Sequence, residues 1–498
     1  MKTSELIEAI IGRSGDVRTQ LYIDGTWVDA VSGKTFDAED PATGRRLASV
    51  AQADAADADK AVAAARRAFH DWSVTSGRVR ERILRDAATL VREHREGIAQ
   101  VEALDAGKLL AGAQADIDEV AFQLDYFAGW ATKISGETMS ADPNSMSLLV
   151  REPVGVAALI SPWNFPLLLA NQKVAPALTA GCTVILKPAE QTPLSALVLA
   201  AILQEAGLSS GVFNLLTGFG PEAGGPLVAH PDVDKVSFTG STEVGKHIVR
   251  ESAGTMKRLS MELGGKSPGI VFADADFDAM IDGTAKGIFW NQGQVCAATS
   301  RLFVESSIHD DVVEALSARA ASFTLGHGLD PSTTMGPVVS EEQRARVAHY
   351  VTVATDEGAK VAGRGTMPSD SELKSGSFHE PIILSGVRNE MRVAQEEIFG
   401  PLLSIIKFDT ADQAIELAND TKYGLAASVW TQDINKAFKV ARSVRAGSMW
   451  INDALQAPSE GMFGGFKESG FGRELGKLGL DEYLEYKHIF VRLPETPA

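Results

Sequence analysis

The sequence KVSFTGSTEVGKH, residues 235–247, joins a β-rich run to a tight turn and the start of a helix. This arrangement aims backbone N–H groups at an anion, so a nucleotide phosphate is a candidate ligand. The spacing Gly240-x-x-x-x-Gly245-Lys246 also matches the phosphate-binding loop pattern of nucleoside triphosphatases. His247, however, stands where that pattern needs a magnesium-binding Ser or Thr. Spacing alone leaves dinucleotide binding, nucleotide hydrolysis and a structural turn open.

Short β-rich runs alternate with helical stretches on both sides of this loop. The runs predicted as strands are residues 154–160, 183–187, 212–216, 235–238 and 269–272. The predicted helices 167–180 and 193–206 are rich in Ala and Leu, and a Gly follows each as a stop signal. The alternation predicts an α/β fold, a parallel sheet built from right-handed βαβ units.

Other segments extend this organisation in both directions. Residues 54–108 have the apolar periodicity of an amphipathic helical layer. A second α/β rhythm follows Cys296, with predicted elements at 301–305, 341–357, 402–408, 411–419 and 427–430. Residues 145–151 and 484–493 have the pattern of strands, either ordinary edge strands or arms that add to the sheet of a neighbouring subunit.

Composition restricts the classes of partner. With 65 acidic and 47 basic residues among 498, the net charge is -18, which disfavours nucleic acid and anionic membrane as partners. The N-terminus lacks the features of a signal peptide, and no apolar run is long enough to span a bilayer. Only two cysteines occur, and the nine histidines lack metal-ligand spacing. We therefore expect a cytoplasmic protein with free thiols and no metal.

Two residues suggest a nucleophile and a base. Cys296 lies in the Gly-punctuated segment 291–301, and Glu262 begins the segment Glu-Leu-Gly-Gly-Lys about thirty residues upstream. A lone Cys is more often a small buried apolar residue, and a lone Glu is more often a helix cap or a surface charge. Cys182 is expected to be such a core residue. From the residues alone, catalysis is therefore the minority interpretation of the pair.

Another glycine motif follows the predicted strand 212–216. Gly218-Phe-Gly220-Pro-Glu-Ala223 fits the dinucleotide fingerprint G-x-G-x-x-A, but the next acidic residues come too early for a ribose-binding carboxylate. We expect a turn that borders the cofactor rather than the site that grips its pyrophosphate.

Six ordered segments together resemble the aldehyde dehydrogenase superfamily, from about Leu21 to the C-terminus. The segments are Ser161-Pro-Trp-Asn-Phe-Pro166, Lys187-Pro-Ala-Glu190, Phe238-Thr-Gly-Ser-Thr-Glu-Val-Gly245, Glu262-Leu-Gly-Gly-Lys266, Gly293-Gln-Val-Cys296 and Glu396-Glu-Ile-Phe-Gly-Pro401. The resemblance implies a Rossmann-like NAD-binding domain (21–137 and 153–262), an α/β catalytic domain (263–475) and a small β oligomerisation arm (138–152 and 476–498). Residues 1–20 are expected to form an extension outside this core.

The resemblance also implies a hydrolytic mechanism. Cys296 is expected to attack an aldehyde carbonyl, and the Asn164 amide and the Cys296 backbone N–H are expected to hold the oxyanion. Glu262 is expected to activate water against the resulting thioester. Because relatives that transfer the acyl group to coenzyme A typically lack this glutamate, a free carboxylic acid is the expected product. A catalytically silent relative would need one of these three residues to be replaced, and none is.

The implied cofactor is NAD rather than NADP, because a carboxylate at Glu190 disfavours a 2′-phosphate. The implied cofactor-binding residues are Ser161, Pro162, Trp163, Lys187, Glu190, Gly220, Gly240, Ser241, Gly245, Leu263, Glu397 and Phe399. The implied substrate pocket consists of Leu169, Gln172, Trp290, Leu455, Ala457 and Phe463. Gln172 and Ala457 stand where many relatives carry large aromatic residues, which predicts a wider or more polar entrance. The expected partners are an aldehyde and further copies of the chain, as a dimer or a tetramer of paired dimers.

Overall fold

The computed structural model describes residues 2–12, 17–140 and 142–494. The helices are α1 Thr3–Ile11, α2 Ala55–Val74, α3 Gly77–Glu93, α4 Arg95–Ala106, α5 Leu110–Ala128, α6 Pro166–Ala180, α7 Leu194–Glu205, α8 Gly225–Ala229, α9 Thr242–Glu251, α10 Phe277–Phe289, α11 His309–Ala321, α12 Glu341–Asp356, α13 Arg392–Gln395, α14 Ala411–Asn419, α15 Ile434–Ser443 and α16 Gly476–Asp481. The strands are β1 Leu21–Ile23, β2 Thr26–Val28, β3 Thr35–Asp40, β4 Arg45–Ala51, β5 Glu137–Met139, β6 Ser145–Pro153, β7 Val156–Ile160, β8 Thr183–Lys187, β9 Phe213–Leu215, β10 Lys235–Thr239, β11 Arg258–Glu262, β12 Pro268–Val271, β13 Arg301–Glu305, β14 Lys360–Arg364, β15 Ile382–Ser385, β16 Leu402–Phe408, β17 Ala426–Trp430, β18 Ser448–Ile451, β19 Gly470–Phe471 and β20 Leu484–Arg492.

The first sheet has eight strands in the order β19-β11-β10-β7-β8-β9-β1-β2. Its five central strands, β9-β8-β7-β10-β11, are parallel, and β7, β8 and β10 are buried along their whole length. Burial on both faces accounts for their continuous apolar sequences. The strand order reverses between β7 and β10, and such a switch point leaves a crevice at the carboxyl ends of the strands.

The helices α6 and α7 are the crossover connections of this sheet. Pro166 occupies the first turn of α6, where a missing N–H costs nothing, and Gly181 ends the helix with a φ of 100°. Gly207, with a φ of 82°, follows α7 in the same way. The predicted helices and their glycine stops are confirmed to within one residue.

The second sheet has seven strands in the order β14-β15-β16-β13-β12-β17-β18, all parallel except β14. The grouping of residues 269–272 with the first sheet was wrong, because β12 pairs with β13 and β17. The chain leaves the first sheet after Glu262 and enters the second at Pro268, through Gly264 and Gly265. The site described below lies along this passage.

The two predicted arm strands pair with each other. β6 and β20 are antiparallel over nine residues, and β5 pairs with the other side of β6. The alternative that residues 145–151 form an edge strand was therefore wrong, since β6 is the central strand of this sheet. β20 lies at its edge and exposes Tyr486, Ile489 and Phe490.

The layer predicted over residues 54–108 is helical but divided into α2, α3 and α4. The breaks fall at Thr75–Ser76 and at His94, where the backbone leaves the helical conformation. Residues 2–12, in the predicted N-terminal extension, pack against the rest of the fold. Leu6 and Ile10 of α1 are fully buried against α4 and α7, and Thr3 Oγ1 donates a hydrogen bond to Glu205 Oε2 at 2.9 Å. No helix in the described residues has the length and apolar character needed to cross a membrane.

Candidate active site

Four predicted site residues lie together at the carboxyl ends of the first sheet. Ser161 directly follows β7, Lys187 is the last residue of β8, Gly240 directly follows β10, and Glu262 is the last residue of β11. Because parallel strands end at one edge of their sheet, residues from four distant parts of the sequence share the crevice.

Cys296 is delivered to this crevice by a tight turn. Asn291, Gln292 and Gly293 all have positive φ values, of 49°, 58° and 70°. Non-glycine residues rarely adopt this conformation unless surrounding contacts hold it. Here the Asn291 side-chain amide donates to the backbone carbonyl of Asn164 at 2.9 Å. The turn is therefore tied to the loop that carries the predicted oxyanion donor.

The Asn164 side chain is buried and oriented toward the same turn. Its Nδ2 donates a hydrogen bond to the backbone carbonyl of Gln294 at 2.9 Å. An amide nitrogen carries two N–H groups, so this contact fixes the side chain and leaves a second donor. The amide is neutral and held in place before any negative charge develops, which is what electrostatic stabilisation of an oxyanion requires.

Cys296 lines a cavity of about 610 Å³. Nine other predicted residues line it too: Pro162, Trp163, Asn164, Leu169, Gly240, Ser241, Leu263, Glu397 and Phe399. The rings of Trp163 and Phe399 meet edge to face, with centroids 5.1 Å apart. The cavity thus brings together residues from all six segments of the sequence except Lys187 and its neighbours.

The protein groups around Cys296 do not activate its thiol. Burial, together with the nearby carboxylates of Glu397 and Glu262, raises the pKa of Cys296 to about 12. The thiolate is the nucleophilic form of cysteine, so the site requires a base or a bound positive charge to generate it. Cys182 is buried and free, and burial raises its pKa to about 11.

The glycine pair after Glu262 allows the backbone to contact both the thiol loop and Glu397. A side chain on Gly265 would overlap the carbonyl oxygen of Cys296, and one on Gly264 would overlap the Glu397 carboxylate. The backbone N–H of Gly265 donates to Glu397 Oε1 at 3.0 Å. Burial raises the pKa of Glu397 to about 7. This packing fixes how far the strand carrying Glu262 stands from Cys296.

Glu262 is a buried carboxyl group whose two oxygens have no hydrogen-bond partner within the described part of the chain. Burial and the nearby Glu474 raise its pKa well above the usual value for a glutamate, with Lys173 opposing them. Gly464 gives the carboxylate its room, since a side chain there would begin 2.7 Å from Glu262 Oε1. A carboxylate with a raised pKa accepts a proton more readily than an ordinary glutamate does.

Lys187 and Glu190 form an ion pair of 2.9 Å beside the main cavity. The backbone N–H of Ser161 donates to the carbonyl of Lys187 at 3.1 Å, so the β7 and β8 ends are joined. Gly220 begins the helical turn Gly220–Gly224, and a side chain on Gly224 would begin 4.0 Å from the Lys187 Cδ. The fingerprint-like motif therefore lies next to the ion pair, and its role as a turn that borders the cofactor stays a prediction.

Ser241 and Gly245 serve the geometry of α9. The Ser241 Oγ accepts a hydrogen bond from the Val244 backbone N–H at 3.2 Å and caps the helix. A side chain on Gly245 would collide with Leu263, so the glycine allows α9 to approach β11. Gly240 and Ser241 consequently present the N-terminus of a ten-residue helix to the cavity.

The predicted substrate-pocket residues divide into separate environments. Leu169, Leu455 and Phe463 are partly buried and pack, like Cys296, against one hydrophobic cluster. Trp290 contacts Phe165, at a ring-centroid distance of 5.2 Å, and lines a second cavity of about 480 Å³. Ala457 is exposed, and Gln172 is buried with its amide bonded to Glu474. A common tunnel through all six residues stays a prediction.

Several residues of the site were missed from the sequence. Gln343 donates to the carbonyl of Phe399 at 2.7 Å, and Arg346 donates to those of Glu397 and Ile398. These contacts hold Phe399 at a φ of 63°. The sequence feature that could have identified Gln343 and Arg346 is a polar face at three- and four-residue spacing on the predicted helix 341–357. Lys173 and Glu474 gave no comparable signal, because their contact spans 301 positions.

The chain belongs to the aldehyde dehydrogenase family, whose family model matches residues 27–489. It is 46% identical to the betaine aldehyde dehydrogenase of Bacillus subtilis over 94% of this chain and 96% of that protein. It is 45% identical to human retinal dehydrogenase 2 over 96% of this chain and 92% of that protein. The crystal structure of Staphylococcus aureus betaine aldehyde dehydrogenase in complex with NAD+ has a TM-score of 0.95 and 41% identity, covering 99% of this chain and 98% of that one. The aldehyde dehydrogenase-like fold expected from the sequence is confirmed.

Proposed function

We propose that this protein oxidises an aldehyde to the free carboxylic acid with NAD, using Cys296 as nucleophile, Asn164 as oxyanion donor and Glu262 as base. The observation that carries the proposal is the meeting of these groups at the switch point of the first sheet. Asn164 is tied to the turn that precedes Cys296, and Glu262 ends the strand whose following glycines pack on the Cys296 loop.

The first step forms a carbon–sulfur bond. The Cys296 thiol loses its proton to Glu262, and its sulfur attacks the carbonyl carbon, which gives a thiohemiacetal. The second N–H of Asn164 Nδ2 and the Cys296 backbone N–H donate to the developing oxyanion. Each such donor contributes roughly 3 kcal/mol in comparable sites.

The cavity fits a dinucleotide. Gly240 and Ser241 place the N-terminus of α9 where a pyrophosphate needs N–H donors, and Glu397 and Phe399 occupy the end near Cys296. When bound, NAD supplies the two-electron oxidant that converts the thiohemiacetal to a thioester. The residues named for this binding stay predictions, as does the division into an NAD-binding domain, a catalytic domain and an arm.

Hydrolysis completes the cycle. Before this step Glu262 releases to solvent the proton that it took from Cys296. Glu262 then accepts a proton from water, the water oxygen attacks the thioester carbon, and the carbon–sulfur bond breaks to release the acid. The Cys296 thiolate takes the proton back from Glu262, which restores the starting state. The raised pKa of Glu262 supports this role, because its carboxylate is a stronger base than that of an ordinary glutamate. None of these steps calls for a metal, and the described residues contain no cluster of potential metal ligands.

Glu190 supports a preference for NAD over NADP. Its carboxylate is held 2.9 Å from Lys187 Nζ, at the end of β8 where the adenosine ribose is expected. A 2′-phosphate placed there would meet this negative charge. The exposed apolar residues of β20 support assembly into a dimer or tetramer through the arms, which light scattering can measure. A cytoplasmic location stays a prediction.

The test is an NADH assay with a panel of aliphatic, aromatic and amino aldehydes, including the betaine aldehyde and retinal named for the relatives. We expect NADH and free acid in equal amounts, without coenzyme A. A requirement for coenzyme A would contradict the role of Glu262. Absence of NADH with every aldehyde, or magnesium-dependent ATP hydrolysis instead, would contradict the proposed reaction.

A further inference from the structure

Gln172 and Lys173 are neighbours on α6, and both donate to one buried carboxylate. Lys173 Nζ contacts Glu474 Oε1, and Gln172 Nε2 donates to Glu474 Oε2 at 2.7 Å. The side chains of adjacent helical residues point about 100° apart around the helix axis. Gln172 and Lys173 reach the same carboxylate because Glu474 lies between them. Gln172 was expected, together with Ala457, to make the substrate entrance wider or more polar, and in the structure its amide donates to this carboxylate.

The Glu474 carboxylate depends on these two donors. Its backbone is fixed by reciprocal hydrogen bonds to Phe463, each 2.8 Å long, and the residue is 6% exposed. A buried ionised oxygen without a donor is costly. Without the Gln172 amide, rotation of the Glu474 carboxylate away from Lys173 becomes favourable.

The group formed by Gln172, Lys173 and Glu474 is linked to Glu262 through β10. Lys173 Nζ also donates to Thr239 Oγ1 at 2.7 Å, and Thr239 is paired with Glu262 in the sheet. Among the neighbouring charges, Glu474 has the largest effect in raising the pKa of Glu262, and Lys173 has the largest effect in lowering it. The other charged or titratable groups facing this pair are Arg473, Glu482, Tyr483 and, beyond Glu482, Lys235.

We propose that Gln172 is a positioning residue for thioester hydrolysis: its amide holds the Glu474 carboxylate in contact with Lys173, and the negative charge so placed beside Glu262 makes the Glu262 carboxylate a stronger base. This inference rests on the proposed function, because it assigns Gln172 a part in the step that Glu262 performs. The water proton goes to Glu262 as before, and Gln172 itself exchanges no proton.

The direction of the effect follows from the charges. If Gln172 is replaced by Met, which has similar length and no donor, the Glu474 carboxylate loses one of its two donors and is no longer held beside Glu262. Lys173 then acts on Glu262 with less opposition and favours its ionised form. Glu262 becomes a weaker base, so the hydrolysis rate falls and its dependence on pH moves toward acid. A hydrogen bond to an ionised group corresponds to roughly a tenfold effect or more.

The experiment compares wild type, Gln172→Met, Glu474→Gln and the double variant. Rapid mixing with NAD and aldehyde gives the NADH burst, which reports thioester formation, and the later steady rate reports hydrolysis. We expect Gln172→Met to keep the burst, to lose about tenfold in the steady rate, and to move the ascending limb of the pH profile acidward by about half to one unit. Glu474→Gln should give the same shift, and the double variant should add nothing further.

Two controls separate positioning from packing. Gln123→Met removes another buried amide contact, the 3.1 Å hydrogen bond from Asn171, away from Glu474, and should leave the pH profile unmoved. Gln172→Leu provides a second apolar variant in case the Met variant does not fold. An unmoved pH profile in both Gln172 variants, or additive losses in the double variant, would overturn the proposal. Absence of NADH formation by wild type with every aldehyde of the panel would instead overturn the proposed function, and this inference with it.

Discussion

Replacing Glu262 by Gln should separate the two halves of the reaction. The side chain is 4% exposed and its carboxylate has no partner among the described residues, so the nearly isosteric amide fits the same space. Loss of a general base lowers a rate by roughly 10² to 10⁴. We expect hydrolysis to fall by this factor, with NADH released in one burst and then almost none.

The same substitution has an opposite effect on the thiol. The Glu262 carboxylate is one of the causes that raise the pKa of Cys296, so its removal lowers that pKa and increases the thiolate fraction. Alkylation of Cys296 by iodoacetamide should therefore be faster in Glu262→Gln than in wild type. Slower burst kinetics together with faster alkylation would identify Glu262 as the base in the first step as well.

The assay is stopped-flow NADH fluorescence with acid quantified in the same samples. Asp105→Asn is the matched control, because Asp105 is also a fully buried carboxyl group with a raised pKa and its contact is the 2.8 Å hydrogen bond from the Leu194 N–H. The control should keep both phases. Acid formation by Glu262→Gln at the wild-type rate would show that Glu262 is not the base for thioester hydrolysis.

Three further substitutions or titrations have definite outcomes. Gly464→Ala places a methyl group 2.7 Å from Glu262 Oε1, at a residue whose φ is 150°. Steady turnover should therefore fall at least about tenfold while the NADH burst remains. Turnover at the wild-type rate would show that this contact does not matter for hydrolysis. Glu190→Gln should raise kcat/KM with NADP relative to NAD by about tenfold, measured with both cofactors at one aldehyde concentration; an unchanged ratio would remove Glu190 from cofactor selection. Without NAD, the rate of Cys296 alkylation should rise tenfold per pH unit from pH 7 past pH 10, because a thiol with a pKa of about 12 is mostly protonated over this range. Peptide mass analysis measures the rate at each pH, and a plateau near pH 9 would contradict the raised pKa.

The fold could be predicted where the local sequence decides the structure. Residues 183–187 and 301–305 are short apolar runs bounded by turn signals, and both form strands with the predicted ends. The grouping of residues 269–272 failed because periodicity does not say which sheet a strand joins. That choice depends on the close packing of Gly264 and Gly265 against Cys296 and Glu397, which only the folded chain contains.

The site was predictable to the extent that motifs recur in one order. Cys296, Asn164 and Glu397 lie on one cavity as the motifs indicate. Gln172 shows the limit of such reasoning, because its position suggested a tunnel wall and its hydrogen bond goes to Glu474, 302 positions away. Buried charge networks produce no periodic sequence pattern, because each charged residue contacts a partner from a different helix or strand.

The central claim is that Cys296 is the nucleophile, and Cys296→Ser tests it most directly, with Cys182→Ser as the matched control. Both variants should keep the fold, because serine is close to cysteine in size. With NAD and the best aldehyde of the panel, we predict that Cys296→Ser loses NADH formation, burst and steady rate alike, by at least about a thousandfold, since a hydroxyl is a far weaker nucleophile than a thiolate. Cys182→Ser should remain active. NADH formation by Cys296→Ser at the wild-type rate would show that Cys296 is not the nucleophile.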